Sequence, residues 1–458
     1  MCVSGRYFLG RSDFLVKKHK GARLTPEITM AAPSDIVKDI MARVLAEGGV
    51  ENLKKALSTK SIRDVPLPTR LPAITDYSEE SVQTRLDLLR EQGGEFYHVL
   101  AQDDDPNAAD LAGNIENFIG YSKIPLGVIG PLRINGTAAN GDFYVPMATS
   151  EGALTASYSR GANLVSYAGG CTVICMTEAV QRAPCFIFED IKEVAEFLVW
   201  MYKEKMDHFQ DIISKNSRYC KLIDVKPTIT GKELYLSFEY TTGDAAGQNM
   251  VTMATDAICK ELMETTPIKP RYWFIDGNLS GDKKATMSSF LYTRGKKVVA
   301  EVILPRTLVR RFLHATPEDI MEYWQISFVG GTHSGAIGAQ GHFANALAAL
   351  FIACGQDAAC VSEASVGITR MDIANDGDLY VSVSLPNLIV GTVGGGTKLP
   401  TAQECLKLLG CVGEGTARKF AEICAATVLS GEISIIGAMT AGDFSEAHQR
   451  FRPGSHGK

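Results

Sequence analysis

A lysine in a turn is the first residue that could carry chemistry. Lys283 lies in the segment Gly281-Asp282-Lys283-Lys284, directly after a Ser-Gly pair that is typical of a turn. A lysine in this setting could form a Schiff base, stabilise an oxyanion or remain a solvated surface charge. Taken alone, the segment favours the surface charge.

Two carboxylates could act together with a lysine. Glu151 follows Thr149 and Ser150, and either of these is a good helix N-cap. We therefore expect Glu151 in the first helical turn, either buried among small apolar neighbours or exposed where it complements the helix dipole. Asp357 follows an apolar helix predicted over 338–354 and is expected in the interior, where it could shift the pKa of a neighbouring carboxyl or lysine.

Other polar residues stand close to these segments. His342 and Asn345 are three apart in the predicted apolar helix, and a satisfied core histidine is the favoured interpretation of His342. Ser157 and Arg160 share a helix face, and Arg160 could meet a phosphate or the solvent. His448 lies near the chain end, either as an idle surface histidine or as a general acid on a closing flap.

Two glycine-rich segments, 242–250 and 391–397, could let backbone amides approach a phosphate. Neither has the G-x-G-x-x-G pattern of a Rossmann fold, and tight turns alone would explain either of them.

The composition is that of a folded protein with two or three domains. The chain has 458 residues, 45% of them hydrophobic and 21% charged, and its net charge of −6 gives no reason to expect a nucleic-acid partner. The 11 scattered cysteines include no Cys-x-x-Cys pair, which predicts reduced core thiols and no metal site. The apolar stretches break well before about 18 residues, so no membrane-spanning helix is expected.

The elements that must position these residues predict an α+β fold. Predicted helices are 35–60, 78–100, 191–213, 251–263 and 414–440, and predicted strands are 221–230 and 234–241. The predicted parts are a basic leader or disordered terminus (1–30), a helical N-terminal domain (31–106), a large Ala/Gly-rich domain (107–183 and 278–440), an inserted small domain (184–277) and a C-terminal flap (441–458).

In combination and in this order, the segments resemble the hydroxymethylglutaryl-CoA (HMG-CoA) reductase family. The stretch Glu-Asn-Phe-Ile-Gly-Tyr at 116–121 and the stretch Pro-Leu-Gly-Val-Ile-Gly-Pro-Leu at 125–132 are similar to family signatures. So are the Thr-Ser-Glu-Gly, Asp-Lys-Lys, Gly-Gln-Asp-Ala-Ala and Gly-Thr-Val-Gly-Gly-Gly-Thr segments. The resemblance spans residues 110–450 and is nearer the eukaryotic and archaeal branch than the common bacterial one.

The resemblance implies reduction of HMG-CoA to mevalonate with two NADPH, in isoprenoid and sterol precursor synthesis. It implies a large substrate domain with a small inserted ferredoxin-like NADP(H) domain. It also implies a homodimer or homotetramer whose active sites lie between subunits.

The family's roles can be carried over by position. Lys283 stabilises the oxyanion, Glu151 donates a proton, Asp357 tunes both, and His448 protonates the departing CoA thiolate. The positions matching substrate contacts are Arg182, Lys284, Asn345, Asp282, Ser157 and Arg160. The positions matching NADPH contacts are Ser217, Arg218, Asp244, Gly247, Asn249, Val393 and Gly394. An arginine beside the 2′-phosphate favours NADPH over NADH.

The sequence departs from the family at several positions. Ala246 and Gln248 replace two methionines expected to pack on the cofactor. Asp276 replaces a serine expected to touch substrate, and Asn163 replaces an arginine expected near CoA. Ala447 replaces a serine that is phosphorylated in some members, so that regulation should be absent.

Two other functions are alternatives to an active reductase. One is a pseudoenzyme or ligand sensor, which the joint presence of Glu151, Lys283, Asp357 and His448 disfavours. The other is a lyase that forms a Schiff base on Lys283. The expected compartment is the cytoplasm, or the mitochondrion if the basic residues 1–28 act as a leader.

Overall fold

The structure is a computed structural model that describes residues 35–46, 48–72, 76, 78–100, 111 and 113–442. Within these ranges the chain forms the strands β1 (Leu126–Gly136), β2 (Asn140–Ala148), β3 (Cys171–Arg182), β4 (Cys185–Ile187), β5 (Lys221–Thr230), β6 (Glu233–Thr241), β7 (Tyr272–Phe274), β8 (Gly295–Leu304), β9 (Gly338–Ala339), β10 (Gly367–Ile373) and β11 (Leu379–Leu388). The helices there are α1 (Asp35–Ala46), α2 (Val50–Leu57), α3 (Glu79–Glu91), α4 (Leu154–Tyr167), α5 (Ile191–Glu204), α6 (Phe209–Ser214), α7 (Gln248–Thr265), α8 (Arg306–Leu313), α9 (Pro317–Ser334), α10 (Phe343–Ala353), α11 (Val361–Ala364), α12 (Pro400–Leu408) and α13 (Ala417–Ala441).

An 11-stranded sheet runs through these residues in the order β7-β4-β6-β3-β8-β11-β10-β9, with β1, β2 and β5 pairing off that path. The sheet has a smaller part, which includes β6, and a larger part, which includes β8, and the long strand β3 joins the two. Most of β3 pairs with β8, and its last three residues, from Val180 to Arg182, pair with β6. A register shift between Cys175 and Thr177 interrupts the pairing of β3 with β8, as at a β-bulge that bends a strand. The predicted α+β fold is confirmed.

The smaller part of the sheet contains β7, β4, β6 and β5 in that spatial order, all antiparallel. In chain order they alternate with α5, α6 and α7 as strand, helices, strand, strand, helix, strand. This is the ferredoxin-like order that the resemblance implies for the inserted domain. The strands predicted at 221–230 and 234–241 match β5 and β6, whereas the domain boundaries stay predictions.

The larger part is packed around α13. A Cβ atom at Gly161 of α4 would lie 1.9 Å from the carbonyl oxygen of Ser430 in α13, so only glycine allows the two helices to come this close. The close crossing sets the depth at which α4 lies against α13. Because Ser434 is one turn beyond Ser430, it faces the side of α4 that carries Ser157 and Arg160.

The N-terminal helices dock onto this sheet. Gly48 and Gly49, both with positive φ, separate α1 from α2 within the region predicted as helical. Arg43 of α1 donates to the carbonyl of Met176 at 2.6 Å, which anchors the helix on β3. The helix predicted over 78–100 is shorter than expected, because α3 ends at Glu91.

The expectation about apolar stretches needs a correction. Helix α13 is long and apolar enough to cross a membrane, by length and composition only. In this structure 83% of its apolar window is buried against the rest of the chain. It therefore serves here as a core helix, and its apolar stretch is longer than expected from the sequence.

All ten cysteines in the described ranges have free thiols and are buried. This agrees with the prediction of reduced core thiols for that part of the chain.

Candidate active site

Lys283 and Asp357 form an ion pair at the surface. Lys283 Nζ lies 2.8 Å from Asp357 Oδ2. The hydrogen bond to Asp357 raises the pKa of Lys283, more than partial burial lowers it. Burial opposes ionisation of Asp357, but hydrogen bonds from Lys283 and from the Ala359 N–H outweigh it and lower the pKa of the carboxyl. At neutral pH the pair is an ammonium ion beside a carboxylate.

The interior position expected for Asp357 is wrong. Its side chain is 45% exposed, close to the 43% of Lys283. The physical reason is the end of α10, where Gly355 with φ of 64° turns the chain away from the core. The pair consequently faces the solvent, where a substrate could reach it.

A buried ion pair holds the backbone of the Lys283 turn. Lys283 has a φ of 56°, a left-handed conformation that is unusual for a residue with a side chain. Its N–H donates to Glu363 Oε1 at 3.1 Å, and Glu363 Oε2 lies 2.6 Å from Arg294 Nε. Burial raises the pKa of Glu363, and the charge of Arg294 opposes that shift. Sequence reasoning missed Glu363 and Arg294, because nothing near either residue in the chain marks it as a partner.

The network continues to Arg182. Arg294 lies 2.5 Å from Asp282 Oδ1, and Arg182 lies 3.3 Å from Asp282 Oδ2. Arg182 lies 2.6 Å from Asp276, the carboxylate that departs from the family pattern. Lys284 Nζ donates to the Asp282 carbonyl at 2.9 Å. The structure thus brings five predicted site residues together with Asp276, which neutralises Arg182: they are Lys283, Asp357, Arg182, Asp282 and Lys284.

Glu151 lies elsewhere, and its expected place in the first helical turn is wrong. It is exposed, which is one of the two alternatives expected for it, and it precedes the helix, because α4 begins only at Leu154 after the left-handed Ala153. The Thr149 hydroxyl accepts the Glu151 N–H at 3.0 Å in a local turn, so it does not cap the helix. The Glu151 carboxylate accepts from Asn345 Nδ2 at 3.4 Å.

Four predicted residues line one pocket of about 510 Å³ between α4, α10 and α13. Glu151 and Asn345 stand at this pocket together with Ser157 and Arg160. The Ser157 hydroxyl lies 2.9 Å from that of Ser434, and Arg160 donates to the Ser434 hydroxyl at 3.0 Å and to its carbonyl at 2.8 Å. The guanidinium is therefore held in place at the pocket wall.

His342 lines the same pocket but does not lie inside the helix predicted over 338–354, because α10 begins at Phe343. Its Nδ1 lies 3.1 Å from the fully buried carboxylate of Glu432, which also accepts from the Thr369 hydroxyl at 2.6 Å. Burial opposes ionisation of Glu432, but hydrogen bonds from His342 and Thr369 lower its pKa. The hydrogen bond to Glu432 confirms that His342 is satisfied, but the expected core position is wrong, because its side chain is 16% exposed and lines the pocket. A glutamate within an apolar helix was the available signal for its partner.

The two glycine-rich segments lie against each other. The Thr392 N–H donates to the Asp244 carbonyl at 2.8 Å, and Ala245 forms a bridge with Val393. The Asp244 carboxylate accepts two backbone N–H groups near the start of α13, at 2.8 and 2.9 Å. Asp244 thereby ties both segments to the core helix.

This junction has room for an anionic ligand. Gly247, with φ of 83°, precedes α7, and no side chain in the described part of the chain caps that helix. Unpaired first-turn N–H groups favour a phosphate. Asn249 is exposed in the first turn, and a Cβ at Gly394 would meet nothing within 4 Å. The residues therefore fit the phosphates of a dinucleotide.

Ser217 and Arg218 lie at the same edge of the sheet. They precede β5, whose first residue Lys221 pairs with Thr241, immediately before the glycine-rich turn. The Ser217 hydroxyl accepts the Tyr219 N–H at 3.2 Å, and the exposed Arg218 lies 4.7 Å from the centre of the Tyr219 ring.

Within one chain the predicted catalytic residues form two separate groups. No hydrogen bond or ion pair among the described residues joins Glu151 to Lys283 or Asp357. His448 lies outside the described residues.

The family model for hydroxymethylglutaryl-coenzyme A reductase matches residues 81–452. The chain belongs to the HMG-CoA reductase family. The 3-hydroxy-3-methylglutaryl-coenzyme A reductases of Pyrococcus abyssi and Methanocaldococcus jannaschii are 44% and 41% identical to it, over 79% and 78% of this chain and 90% and 89% of their own lengths. Reductase 2 of Gossypium hirsutum is 37% identical over 74% of this chain and 54% of its own length. The resemblance to archaeal and eukaryotic members of the HMG-CoA reductase family is confirmed.

The fold agrees with solved HMG-CoA reductases. A class II enzyme from Streptococcus pneumoniae, bound to NADPH in open conformations, has a TM-score of 0.62 and 18% identity over 81% of this chain and 100% of its own. A second structure of the Streptococcus pneumoniae reductase has a TM-score of 0.62 and 17% identity over 81% of this chain and 87% of its own.

Proposed function

We propose that this chain catalyses the NADPH-dependent, four-electron reduction of HMG-CoA to mevalonate and CoA, a step that supplies isoprenoid precursors. The Lys283–Asp357 ion pair carries the proposal, since a thioester carbonyl that accepts hydride needs a fixed cation at its oxygen. Membership of the reductase family, with relatives 40–44% identical, supports this choice of substrate.

The chain's own residues hold charge and protons during both reductions. NADPH, when bound, supplies the hydride. Lys283 hydrogen-bonds the thioester oxygen as it becomes negative, and Asp357 keeps Lys283 protonated. Glu151 delivers the proton to that oxygen. His448 protonates the CoA thiolate when the hemithioacetal collapses to mevaldehyde, which is reduced in turn to mevalonate.

Substrate binding divides between the two groups of residues. Arg182 and Lys284 hold the HMG carboxylate. The Arg182 charge is already offset by Asp276 and Asp282, so most of the free positive charge comes from Lys284. The Arg182 Nε atom is buried with no hydrogen-bond partner in the described residues, whereas Nη1 is bound by both aspartates. Asn345 hydrogen-bonds the HMG portion from the pocket side.

The pocket of about 510 Å³ receives the CoA side of the substrate. Ser157 and Arg160 contact it there, and the bonds from Arg160 to Ser434 keep the guanidinium in place for a phosphate.

NADPH binds where the glycine-rich segments meet. The uncapped start of α7 and the open side of Gly394 would hold its phosphates. Arg218, at the position that matches the family's arginine, would contact the 2′-phosphate. An arginine suits this role because a guanidinium binds phosphate oxygens in bidentate fashion. NADPH is therefore preferred to NADH.

The reductase acts as a homodimer or a larger assembly with active sites between subunits. Helix α9 exposes Ile326 by 64%, Phe328 by 49% and Val329 by 54%, an apolar face that a second copy would cover. The separation of Glu151 from Lys283 within one chain also supports this, since a second copy could bring one chain's glutamate to the other's lysine.

The direct test is NADPH oxidation on addition of HMG-CoA, with mevalonate and free CoA measured as products. We expect two NADPH consumed per HMG-CoA and a much slower reaction with NADH. Absence of mevalonate would refute the proposal. Borohydride trapping of a substrate adduct on Lys283 would instead indicate the lyase.

The proposal that two subunits share each site is tested with two inactive variants, Glu151→Gln and Lys283→Ala. Equal amounts are mixed in the unfolded state and refolded together, and the activity of the product is measured. Half of the random dimers are mixed, and each holds one intact site, so we expect roughly a quarter of the unaltered activity. No recovery in dimers shown to be mixed would place each site within one chain.

We propose a cytoplasmic location, with the mitochondrion as the alternative. Residues 1–28 contain six lysines and arginines against two acidic residues, a composition typical of mitochondrial leaders. Fractionation of the tagged chain with and without residues 1–28 tests this. A cytoplasmic signal from both forms would rule out the leader.

A further inference from the structure

The segment that carries Asp357 is clamped between the two glycine-rich segments proposed to hold NADPH. The Gln356 side chain accepts the Gly391 N–H at 2.9 Å. A Cβ at Gly355 would lie 2.2 Å from the Gly396 carbonyl oxygen, so these backbones are in direct contact. The catalytic carboxylate therefore lies on a segment that any movement of the cofactor segments would reach.

A second contact reaches the same segment from the other glycine-rich turn. Gln248, the first residue of α7, has its Nε2 atom 2.8 Å from the Sγ atom of buried Cys360. This position is one of those where the sequence leaves the family pattern, with glutamine instead of methionine. A methionine side chain could not donate this hydrogen bond.

Cys360 connects Gln248 to the ion pair. Burial raises the pKa of Cys360 to about 12, so the thiol keeps its proton at neutral pH. The Cys360 N–H donates to the Asp357 carbonyl at 3.0 Å, which joins the two residues directly. The hydrogen bond from Lys283 contributes most to lowering the pKa of Asp357, and the neighbouring Cys360 thiol adds a smaller contribution. The other charged groups around Cys360 are Lys283 and Glu363. A donor on the sulfur from Gln248 makes the thiol a better donor toward Asp357, because hydrogen bonds in a chain polarise one another.

We propose that Gln248 is a positioning residue that links the cofactor-binding turn to the Lys283–Asp357 pair through the Cys360 thiol. The inference rests on the proposed function. In this proposal, the contact between Gln248 and Cys360 holds Asp357 toward Lys283 when NADPH occupies the start of α7. In this chain the polar contact replaces the apolar packing that the family pattern would supply.

The alternative is that Gln248 and Cys360 act independently, one on the cofactor and one on core packing. A double-mutant cycle separates the two, since residues coupled through one contact give non-additive effects. The variants are Gln248→Met, which keeps the size but removes the donor, Cys360→Ala, and the two combined. Cys360→Ser keeps a hydroxyl donor to Asp357. Cys259→Ala, a buried thiol on the same α7 helix, is the matched control.

Steady-state kinetics with HMG-CoA and NADPH over a pH series is the measurement. We expect Gln248→Met and Cys360→Ala each to lower kcat about three- to tenfold, the size of one hydrogen bond. The double variant should be no slower than the slower single one. The acid limb of kcat should move to higher pH in Cys360→Ala, since Asp357 loses a donor that lowers its pKa. Cys360→Ser should restore that limb, and Cys259→Ala should leave it unchanged.

The inference would be overturned if the decrease in kcat of the double variant equalled the product of the two single decreases. It would also be overturned if the variants changed only the KM for NADPH. Either result with an active unaltered chain leaves the proposed function standing. An unaltered chain that makes no mevalonate would overturn both.

Discussion

The two halves of the candidate site are built by different means. Around Lys283 the position is set by charge, because Glu363 binds the turn's backbone and is itself paired with Arg294. Around Glu151 the position is set by helix packing, with α4, α10 and α13 enclosing a pocket. One half depends on buried ion pairs and the other on how closely the helices approach.

The difference indicates how firmly each catalytic group is held. Lys283 has a 2.8 Å ion pair and a backbone bond to a buried carboxylate. The described hydrogen bond of the Glu151 carboxylate is a 3.4 Å contact from Asn345, which is long for this type of bond. The lysine half is therefore preorganised in the single chain, whereas the glutamate half is held there only by a long hydrogen bond.

The largest effect is expected from removing the preorganised cation. Lys283→Ala should lower kcat for NADPH oxidation with HMG-CoA by about 10²–10³-fold or more, the size measured for loss of one oxyanion donor. The control is Lys407→Ala, a surface lysine paired with Glu95. Undiminished turnover by Lys283→Ala would remove the lysine half from the mechanism.

The next largest effect is expected from breaking the buried ion pair between Arg294 and Glu363. Arg294→Met leaves Glu363 buried without its cation, so we expect a loss of about 3–5 kcal/mol in the free energy of unfolding. Denaturant unfolding followed by circular dichroism gives that value. The double variant Arg294→Met with Glu363→Leu should recover much of the stability but not the activity, since the Lys283 turn still loses its backbone acceptor. Full recovery of activity would show that Glu363 is not needed to place the turn.

A smaller effect concerns pH. The pKa of Lys283 is raised mainly by its hydrogen bond to Asp357, so Asp357→Asn should lower that pKa. Lys283 would then lose its proton at a lower pH, and the alkaline limb of kcat should shift in that direction. The pH profile of kcat measures this, with Asp372→Asn, an exposed aspartate paired with Arg370, as the control. An unmoved alkaline limb would mean that Lys283 does not set it.

The smallest effect is expected in the glutamate half. Asn345→Ala removes a long hydrogen bond to Glu151, so we expect kcat to fall only about two- to fivefold. A loss as large as that of Lys283→Ala would show that Asn345 contacts the reacting group directly.

Sequence reasoning found the residues of both halves but not what holds them. Segment resemblance identified Lys283, Asp357 and Glu151, and strand patterns predicted β5 and β6 closely. It placed Glu151 in a helix, because the left-handed Ala153 that delays α4 has no marker in the residue types. The Glu363–Arg294 pair joins residues 69 positions apart, and such long-range pairing has no local signature.

The left-handed backbone of Lys283 has a consequence for how this position can vary. Glycine there would relieve strain on the order of 1 kcal/mol while abolishing the ammonium. A library selected only for heat resistance should therefore enrich Lys283→Gly, and a descendant chain released from catalysis would drift the same way. A library selected for turnover should instead keep lysine at this position.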